Sequence, residues 1–209
     1  MADREPESLA AVPAAEAAAG ATFAEIRIAR AWNLRGDPGR AMFVAEAQAL
    51  FGLPLPLQPC TSTSSAAGVM LWLGPRSWLW VAGAGAPAPD FDGARRALNA
   101  AGGALFDLSA SYVAWAIRGE AAARVLNRGC PLDFHPRAFA PGHCAQSVFG
   151  HINALFYRPD ERSAYIVMVA RSLAADAWDD LWSAATSEGS TVAPASVFRA
   201  ASSASAERP

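Results

Sequence analysis

Reactive side chains crowd one short segment of the sequence, CPLDFHPRAF at residues 130–139. It holds a thiol, a carboxylate, an imidazole and a guanidinium, and a second thiol follows at Cys144. Thiolates act as nucleophiles in enzymes, and thiolates together with imidazoles bind zinc. The segment is therefore a candidate active site, a candidate metal site, or a bend that only shapes the chain.

The spacing of the potential metal ligands argues against a zinc site. Five of them lie within 22 positions, namely Cys130, His135, His143, Cys144 and His151. Zinc sites usually contain Cys pairs or His pairs separated by roughly two to five residues, and none of these pairs has that spacing. His143 and Cys144 are adjacent, so in an extended chain they point to opposite faces. The pattern predicts no metal ligands.

The position of Cys130 argues against a nucleophile. The sequence GEAAARVLNRG (119–129) predicts a short helix, and Gly129 is typical of the left-handed residue that closes one. Cys130 would then pack against the last turn, near Val125. The negative end of the helix dipole disfavours a thiolate there. We expect no catalytic residue in this segment.

A structural elbow is the interpretation that fits best. Three prolines fix the backbone and bar a helix, namely Pro131, Pro136 and Pro141. Asp133, His135 and Arg137 alternate with apolar residues, which in an extended chain places them on one polar side. These three residues are candidates for holding the elbow or for contacting a partner subunit.

The surrounding pattern predicts the elements that position the elbow. Strands are predicted at GVMLWLG, SWLWVAG, ALFDLS, YVAWAIRG, CAQSVFG, HINALFYR and SAYIVMVA, and helices at 89–103, 119–129 and 172–185. The turn Gly74-Pro75-Arg76-Ser77 joins the first two strands. The predicted class is α+β with a largely antiparallel sheet and packed helices. We expect a flexible arm over 1–22, the folded part over 23–186, and a disordered tail over 187–209.

Trp178 and Trp182 form a second candidate interface. They lie one helical turn apart, beside the apolar stripe that runs from Leu173 to Leu181. A helix with a second apolar face indicates a surface that a partner covers.

Composition excludes several classes of protein. Apolar residues make up 53% of the 209 residues and charged residues 17%, which is typical of a globular chain. The net charge is -2 and no basic stripe is present, so we expect no nucleic-acid partner. The most apolar stretch is interrupted at Gly74-Pro75, so we expect no membrane span. Three cysteines and an acidic N-terminus without an apolar core indicate the cytoplasm.

Four longer stretches resemble a known family. They are WNLRGDP (32–38), LWLGPRSWLWV (71–81), FDLSASYVAWAIRGEAAARVLNRGCPLDFHPRAFAPGHCAQSVFG (106–150) and VARSLAADAWDDLW (169–182). Together they are similar to the gamma subunit of heterotetrameric sarcosine oxidase, and the resemblance extends over about residues 24–185. The chain departs from the family at Arg76-Ser77, where an acidic pair is common.

The resemblance implies a fold. The family is similar to the folate-binding T-protein of the glycine cleavage system, an aminomethyltransferase, and the likeness concerns the N-terminal fold of that protein. The T-protein has His-Met after its Asp-Val-Ser, where this chain has Ala110-Ser111. Its catalytic Asp lies in a Gly-Gly-x-x-Asp-Asp strand, whereas the equivalent stretch GHINALFYR (150–158) contains no carboxylate. The resemblance thus implies a retained fold without folate chemistry.

The resemblance also implies a function. In the family, the complex demethylates sarcosine to glycine, passes the one-carbon unit to tetrahydrofolate or releases formaldehyde, and forms hydrogen peroxide. FAD, FMN, NAD and tetrahydrofolate are expected in the other subunits, and no cofactor in this chain. The chain is expected to be a non-catalytic assembly subunit with alpha, beta and delta partners, alpha being the direct contact. Two alternatives remain open: a stand-alone folate-dependent aminomethyltransferase-like protein, and the equivalent subunit of another N-methyl amino-acid oxidase.

Overall fold

The computed structural model describes residues 20–83, 87–159, 164–186 and 191–197, the last range by its backbone alone. The strands are β1 (Thr22–Arg27), β2 (Ala31–Arg35), β3 (Ser62–Ser65), β4 (Gly68–Gly74), β5 (Ser77–Ala82), β6 (Ala104–Asp107), β7 (Tyr112–Arg118), β8 (Cys144–Phe149), β9 (Ile152–Tyr157), β10 (Ala164–Ala170) and β11 (Thr191–Val197). The helices are α1 (Ala41–Phe51), α2 (Phe91–Ala100), α3 (Ala122–Gly129) and α4 (Ala174–Thr186), and a 3₁₀ turn over Arg171–Leu173 precedes α4.

The strands form two sheets. The first has the order β11-β1-β7-β10-β9-β8, and the second has the order β3-β4-β5-β2-β6. All neighbouring strands are antiparallel except β1 and β11, which run parallel. The predicted α+β class with largely antiparallel pairing is confirmed, although the strands divide between two sheets.

The sheets pack face to face between two helical layers. Successive side chains of a strand point to opposite faces, and β7 shows both environments. Ala114 and Ala116 join the core between the sheets, whereas Trp115 and Ile117 join the core beneath α3 and α4. On the second sheet, Trp78 and Trp80 of β5 lie beneath α1 and α2. Strands buried on both faces are rich in apolar residues throughout, which explains the high apolar content of the chain.

Local sequence signals set the ends of α2. The Asp90 carboxylate caps the helix by accepting a hydrogen bond from the Gly93 amide at 2.7 Å. Beyond the other end Gly102 adopts a left-handed φ of 83°, and the Gly103 amide donates to the Leu98 carbonyl at 2.8 Å. The predicted closure of this helix at Gly102-Gly103 is confirmed.

Residues 187–209 were predicted to be a disordered tail. Within that range, Thr191–Val197 instead forms β11, which pairs with β1. Without β11 the outer edge of β1 would present unpaired backbone groups, which favours the addition of a strand. The remainder of that tail, and the predicted arm up to residue 19, lie outside the described residues. No helix of the described ranges combines the length and the apolar character that a membrane crossing requires.

Candidate functional site

The elbow, residues 130–143, is a series of turns that its own side chains stabilise. Asp133 accepts a hydrogen bond from the His135 amide at 2.8 Å, and His135 Nδ1 accepts one from the Arg137 amide at 3.2 Å. The His135 carbonyl accepts from the amides of Ala138 and Phe139. Asp133, His135 and Arg137 are all exposed, but the predicted extended alternation is wrong, because Asp side chains and proline favour turns.

Two buried rings attach the elbow to the first sheet. Phe134 and Phe139 contact each other, and both contact Tyr165 of β10. The Phe134 carbonyl accepts from the Tyr165 hydroxyl at 2.6 Å, and the Phe134 amide donates to Asn127 of α3 at 2.9 Å. Burial raises the pKa of the Tyr165 phenol, Arg158 opposes this effect, and Asp133 adds to it.

Arg158 is a buried cation beneath the elbow. It follows β9 and is only 6% exposed. Its Nη1 donates to the carbonyls of Phe139 at 2.6 Å and Pro136 at 3.3 Å, and the guanidinium lies 5.4 Å from the Tyr165 ring centroid. Sequence reasoning missed this residue, because nothing in HINALFYR distinguishes a buried arginine from an exposed one at a strand end.

The link between α3 and the elbow differs from the prediction. Gly129 is the last residue of α3 and not a left-handed residue beyond it. Glycine is needed at position 129 for a steric reason, because a Cβ there would lie 2.5 Å from the Phe149 ring. The Gly129 carbonyl accepts a hydrogen bond from the Gly150 amide at 2.7 Å. Cys130 is buried in the same core cluster as Val125, so its predicted packing role is confirmed.

The other cysteines do not form a reactive pair with Cys130. The Cys144 thiol donates to the carbonyls of Thr61 at 3.2 Å and Trp72 at 3.4 Å, and burial raises its pKa to about 12. A protonated thiol is a poor nucleophile and a poor metal ligand. Cys60 is exposed. Among the described residues, no group of three or more His, Cys, Asp or Glu side chains is placed to hold a metal ion.

Trp178 and Trp182 form an aromatic ladder with Phe23. The two indole rings stack with centroids 6.0 Å apart, and Phe23 of β1 meets both of them edge-on. Trp178 also contacts Trp115, so packing accounts for it. Trp182 remains 39% exposed at the end of the ladder. The ladder and the elbow pack on one core cluster of the first sheet.

A cavity of about 520 Å³ opens on the inner face of the first sheet. Leu155 and Met168 lie buried in its floor, and Tyr112, Gln146 and Asn153 line it with polar groups. None of its nine lining residues carries a charge. β9 contributes Asn153, Ala154 and Leu155 to the lining, and none of these side chains is charged.

Arg76 stands where the family commonly has an acidic residue, and it makes a contact that an acidic residue could not make. Arg76 Nη2 lies 3.0 Å from a carboxylate oxygen of Asp37, and both side chains are substantially exposed. An acidic residue at position 76 would instead repel Asp37. The β4–β5 turn itself forms between Gly74 and Ser77, as predicted.

The fold is shared with an aminomethyltransferase of known structure. The aminomethyltransferase T of the glycine cleavage system from Bartonella henselae superimposes with a TM-score of 0.57 at 15% identity, over 85% of this chain and 48% of that one. A heterotetrameric sarcosine oxidase from Corynebacterium sp. U-96, in complex with pyrrole 2-carboxylate, contains a chain that matches with a TM-score of 0.72 at 26% identity. That match covers 82% of this chain and 86% of the other.

Sequence relatives define the family. The sarcosine oxidase subunit gamma of an Arthrobacter species is 36% identical over 167 residues, which are 77% of this chain and 79% of that protein. The same subunit from Corynebacterium sp. strain P-1 is 36% identical over 68% of this chain and 70% of its own length. The model of the sarcosine oxidase, gamma subunit family matches residues 35–188. The chain belongs to this family.

Proposed function

We propose that the chain is the gamma subunit of a heterotetrameric sarcosine oxidase and serves its assembly rather than its chemistry. The observation that carries the proposal is the likeness to a chain of the Corynebacterium complex over 86% of that chain's length. The reaction of the complex is then the oxidative demethylation of sarcosine to glycine. The one-carbon unit passes to tetrahydrofolate or leaves as formaldehyde, and oxygen is reduced to hydrogen peroxide.

The chemistry of the described side chains supports an assembly role. Cys144 stays protonated, Cys130 is buried as a packing residue, and no charged group lines the cavity. The resemblance to the family assigns FAD, FMN, NAD and tetrahydrofolate to the other subunits. The elbow and the exposed Trp182 are assigned to subunit contacts, with the alpha subunit as the neighbour and beta and delta completing the complex. The cytoplasm is the proposed location.

Co-expression tests the assignment. The chain carrying an affinity tag is produced with the alpha, beta and delta subunits encoded by the same organism, and the purified complex is assayed for sarcosine-dependent hydrogen peroxide formation. We expect a four-subunit complex whose flavins remain bound when the gamma chain is removed. A gamma chain that stays separate from all three subunits would contradict the proposal.

Two variants at the elbow distinguish surface contact from chemistry. Arg137→Ala removes an exposed guanidinium and should weaken assembly, measured as the fraction of gamma chain that co-elutes with alpha. Cys130→Ser should leave the turnover of the purified complex nearly unchanged, because the thiol only packs in the core. A large loss of turnover in an intact Cys130→Ser complex would restore a chemical role for the elbow.

The likeness to the aminomethyltransferase T fold is the reason to test one alternative directly. A stand-alone folate-dependent enzyme must bind tetrahydrofolate without partners, so calorimetry of the isolated chain with tetrahydrofolate decides this question. We expect no heat of binding at high micromolar folate. The second alternative, a different N-methyl amino-acid substrate, is tested by comparing kcat/KM of the complex for sarcosine with its value for other N-methyl amino acids.

A further inference from the structure

Only part of the Arg158 guanidinium has hydrogen-bond partners in the described structure. Nη1 is bound by the elbow carbonyls of Phe139 and Pro136, whereas Nε is buried and has no hydrogen-bond partner. The described ion pairs join Arg76 to Asp37 and Arg95 to Asp92, and no described carboxylate pairs with Arg158. The side-on edge formed by Nε and Nη2 is the edge that binds a carboxylate through two parallel hydrogen bonds.

An arginine elsewhere in the chain shows what a fully structural guanidinium looks like. Arg171 donates from Nε to the Ala110 carbonyl at 2.8 Å and from Nη2 to the Tyr112 carbonyl at 3.0 Å. Its side-on edge is therefore filled, and its side chain is exposed, where water satisfies what remains. Arg158 has the reverse arrangement: its side chain is buried, and its Nε has no acceptor.

Burying an uncompensated charge is costly, because the interior replaces only part of its hydration. Two carbonyls and the face of the Tyr165 ring offset part of that cost, and they add no negative charge. The segment that this guanidinium bonds is the elbow, whose Asp133, His135 and Arg137 side chains are exposed and which we have already assigned to a subunit contact. A negatively charged group supplied there would complete both the hydrogen bonding and the charge.

We propose that the guanidinium of Arg158 receives a carboxylate of the neighbouring subunit, an Asp or Glu side chain or a chain terminus, when the complex assembles and the elbow turns that cover Nε move to admit it. This inference rests on the proposed function and adds the chemistry of the contact. Arg158 then has two roles: Nη1 holds the elbow in shape, and the opposite edge anchors the partner that covers it.

The test measures the affinity of purified gamma variants for the alpha–beta–delta assembly. Arg158→Gln should raise the Kd about 30-fold or more, since removing one member of a buried charge pair leaves the other unpaired. Arg158→Lys keeps a cation that can bond the same elbow carbonyls but loses the two-pronged geometry, so we expect about a tenfold rise. Arg171→Gln is the matched control, because it removes two carbonyl hydrogen bonds at an exposed site, and it should leave the Kd unchanged.

Three outcomes separate the explanations. If wild-type gamma chain fails to bind the assembly, the proposed function itself fails. If wild type binds and folded Arg158→Lys and Arg158→Gln chains bind equally well, only the carboxylate anchor is overturned. Asp160 and Glu161 follow Arg158 in sequence and lie outside the described residues, so an Asp160→Asn, Glu161→Gln double variant is included. If it weakens assembly as much as Arg158→Gln, the carboxylate belongs to this chain and the inference is wrong.

Discussion

The two helical layers of the molecule bury similar aromatic side chains but hold them by different means. Beneath α1 and α2, Trp32 and Trp80 are fully buried although their indole N–H groups have no hydrogen-bond partner. Trp78 in the same layer does have an acceptor, the Pro56 carbonyl at 2.8 Å. Beneath α3, α4 and the elbow, the Tyr165 hydroxyl donates to Phe134 and Arg158 Nη1 donates to Phe139, although Arg158 Nε has no partner. The first layer therefore depends mainly on volume, and the second depends more on a few directional bonds.

This difference has a functional meaning. A packed apolar layer tolerates imperfect polar satisfaction because each ring makes many dispersion contacts. A proline-rich elbow has no repeating backbone hydrogen bonds, so single side chains decide its shape. Substitutions in the first layer should mainly change the free energy of unfolding, whereas substitutions in the second should also change how the chain meets its partner.

The largest effect is expected in the apolar layer. Trp80→Ala removes a ring that contacts both Trp32 and Phe51, and it should lower the free energy of unfolding by about 3–5 kcal/mol, measured by urea denaturation. Met42→Ala is the control, because Met42 of α1 is 71% exposed and should change stability by less than about 0.5 kcal/mol. A loss below about 1 kcal/mol for Trp80→Ala would show that volume does not hold this layer.

Gly129→Ala should cause the next largest loss of stability. Gly129 is the last residue of α3 and directly precedes the elbow. The new Cβ would lie 2.5 Å from the Phe149 ring, so the ring or the helix must shift, at a cost of about 1–3 kcal/mol. Gly74→Ala is the matched control, since a Cβ there meets nothing within 4 Å. Combining Gly129→Ala with Phe149→Leu should recover part of the loss. Equal unfolding curves for the two glycine variants would disprove the steric explanation.

Tyr165→Phe should produce a smaller loss of stability and a clearer change in the elbow. It leaves the buried Phe134 carbonyl without its donor, which costs about 1–2 kcal/mol. Asp133→Asn retains an acceptor for the His135 amide, so its stability should match wild type. Hydrogen exchange of the 130–143 amides should accelerate in Tyr165→Phe alone. Unchanged exchange would mean that this bond does not define the elbow.

The smallest effect concerns alkaline pH. The Cys144 thiol has a pKa raised by burial to about 12, compared with 9.0 for an ordinary thiol. The unfolded chain therefore releases this proton first, and the stability due to Cys144 is present below pH 9 and is lost as pH rises towards 12. The slope of unfolding free energy against pH above 9 should be shallower for Cys144→Ala than for wild type. Cys60→Ala, at an exposed site, should keep the wild-type slope.

Sequence reasoning succeeded where a local signal decides the structure. The hairpin around Gly74–Ser77 and the end of α2 at Gly102-Gly103 follow from the backbone preferences of proline and glycine. The strand at YVAWAIRG, which is β7, follows from its β-branched and aromatic residues. Helix α1 was not predicted, because Phe43, Ala47 and Phe51 give it a narrow buried face within a run of apolar residues and no side chain caps its N-terminus.

The candidate site was predicted only in part. Proline spacing indicated the elbow, and helical spacing brought Trp178 and Trp182 together. Asn127, Arg158 and Tyr165 were missed, because they come from α3, the end of β9 and β10, and meet only after the first sheet has formed. Arg158 and Tyr165 lie 19 and 31 residues from the elbow carbonyls that they bond. No local sequence pattern predicts a hydrogen bond over such a separation.

The sequence by itself determined the turn at Gly74–Ser77, the closure of α2 at Gly102-Gly103, the α+β class and the family-level motifs, since each of these depends on neighbouring residues or on a pattern read in order. The tertiary structure alone decided which polar groups are buried and what satisfies them. It made Gly129 a point of close approach to Phe149 and placed the Arg158 cation beneath the elbow with its buried Nε unpaired. Burial and pairing are properties of the assembled layers, because they depend on residues far apart in the chain.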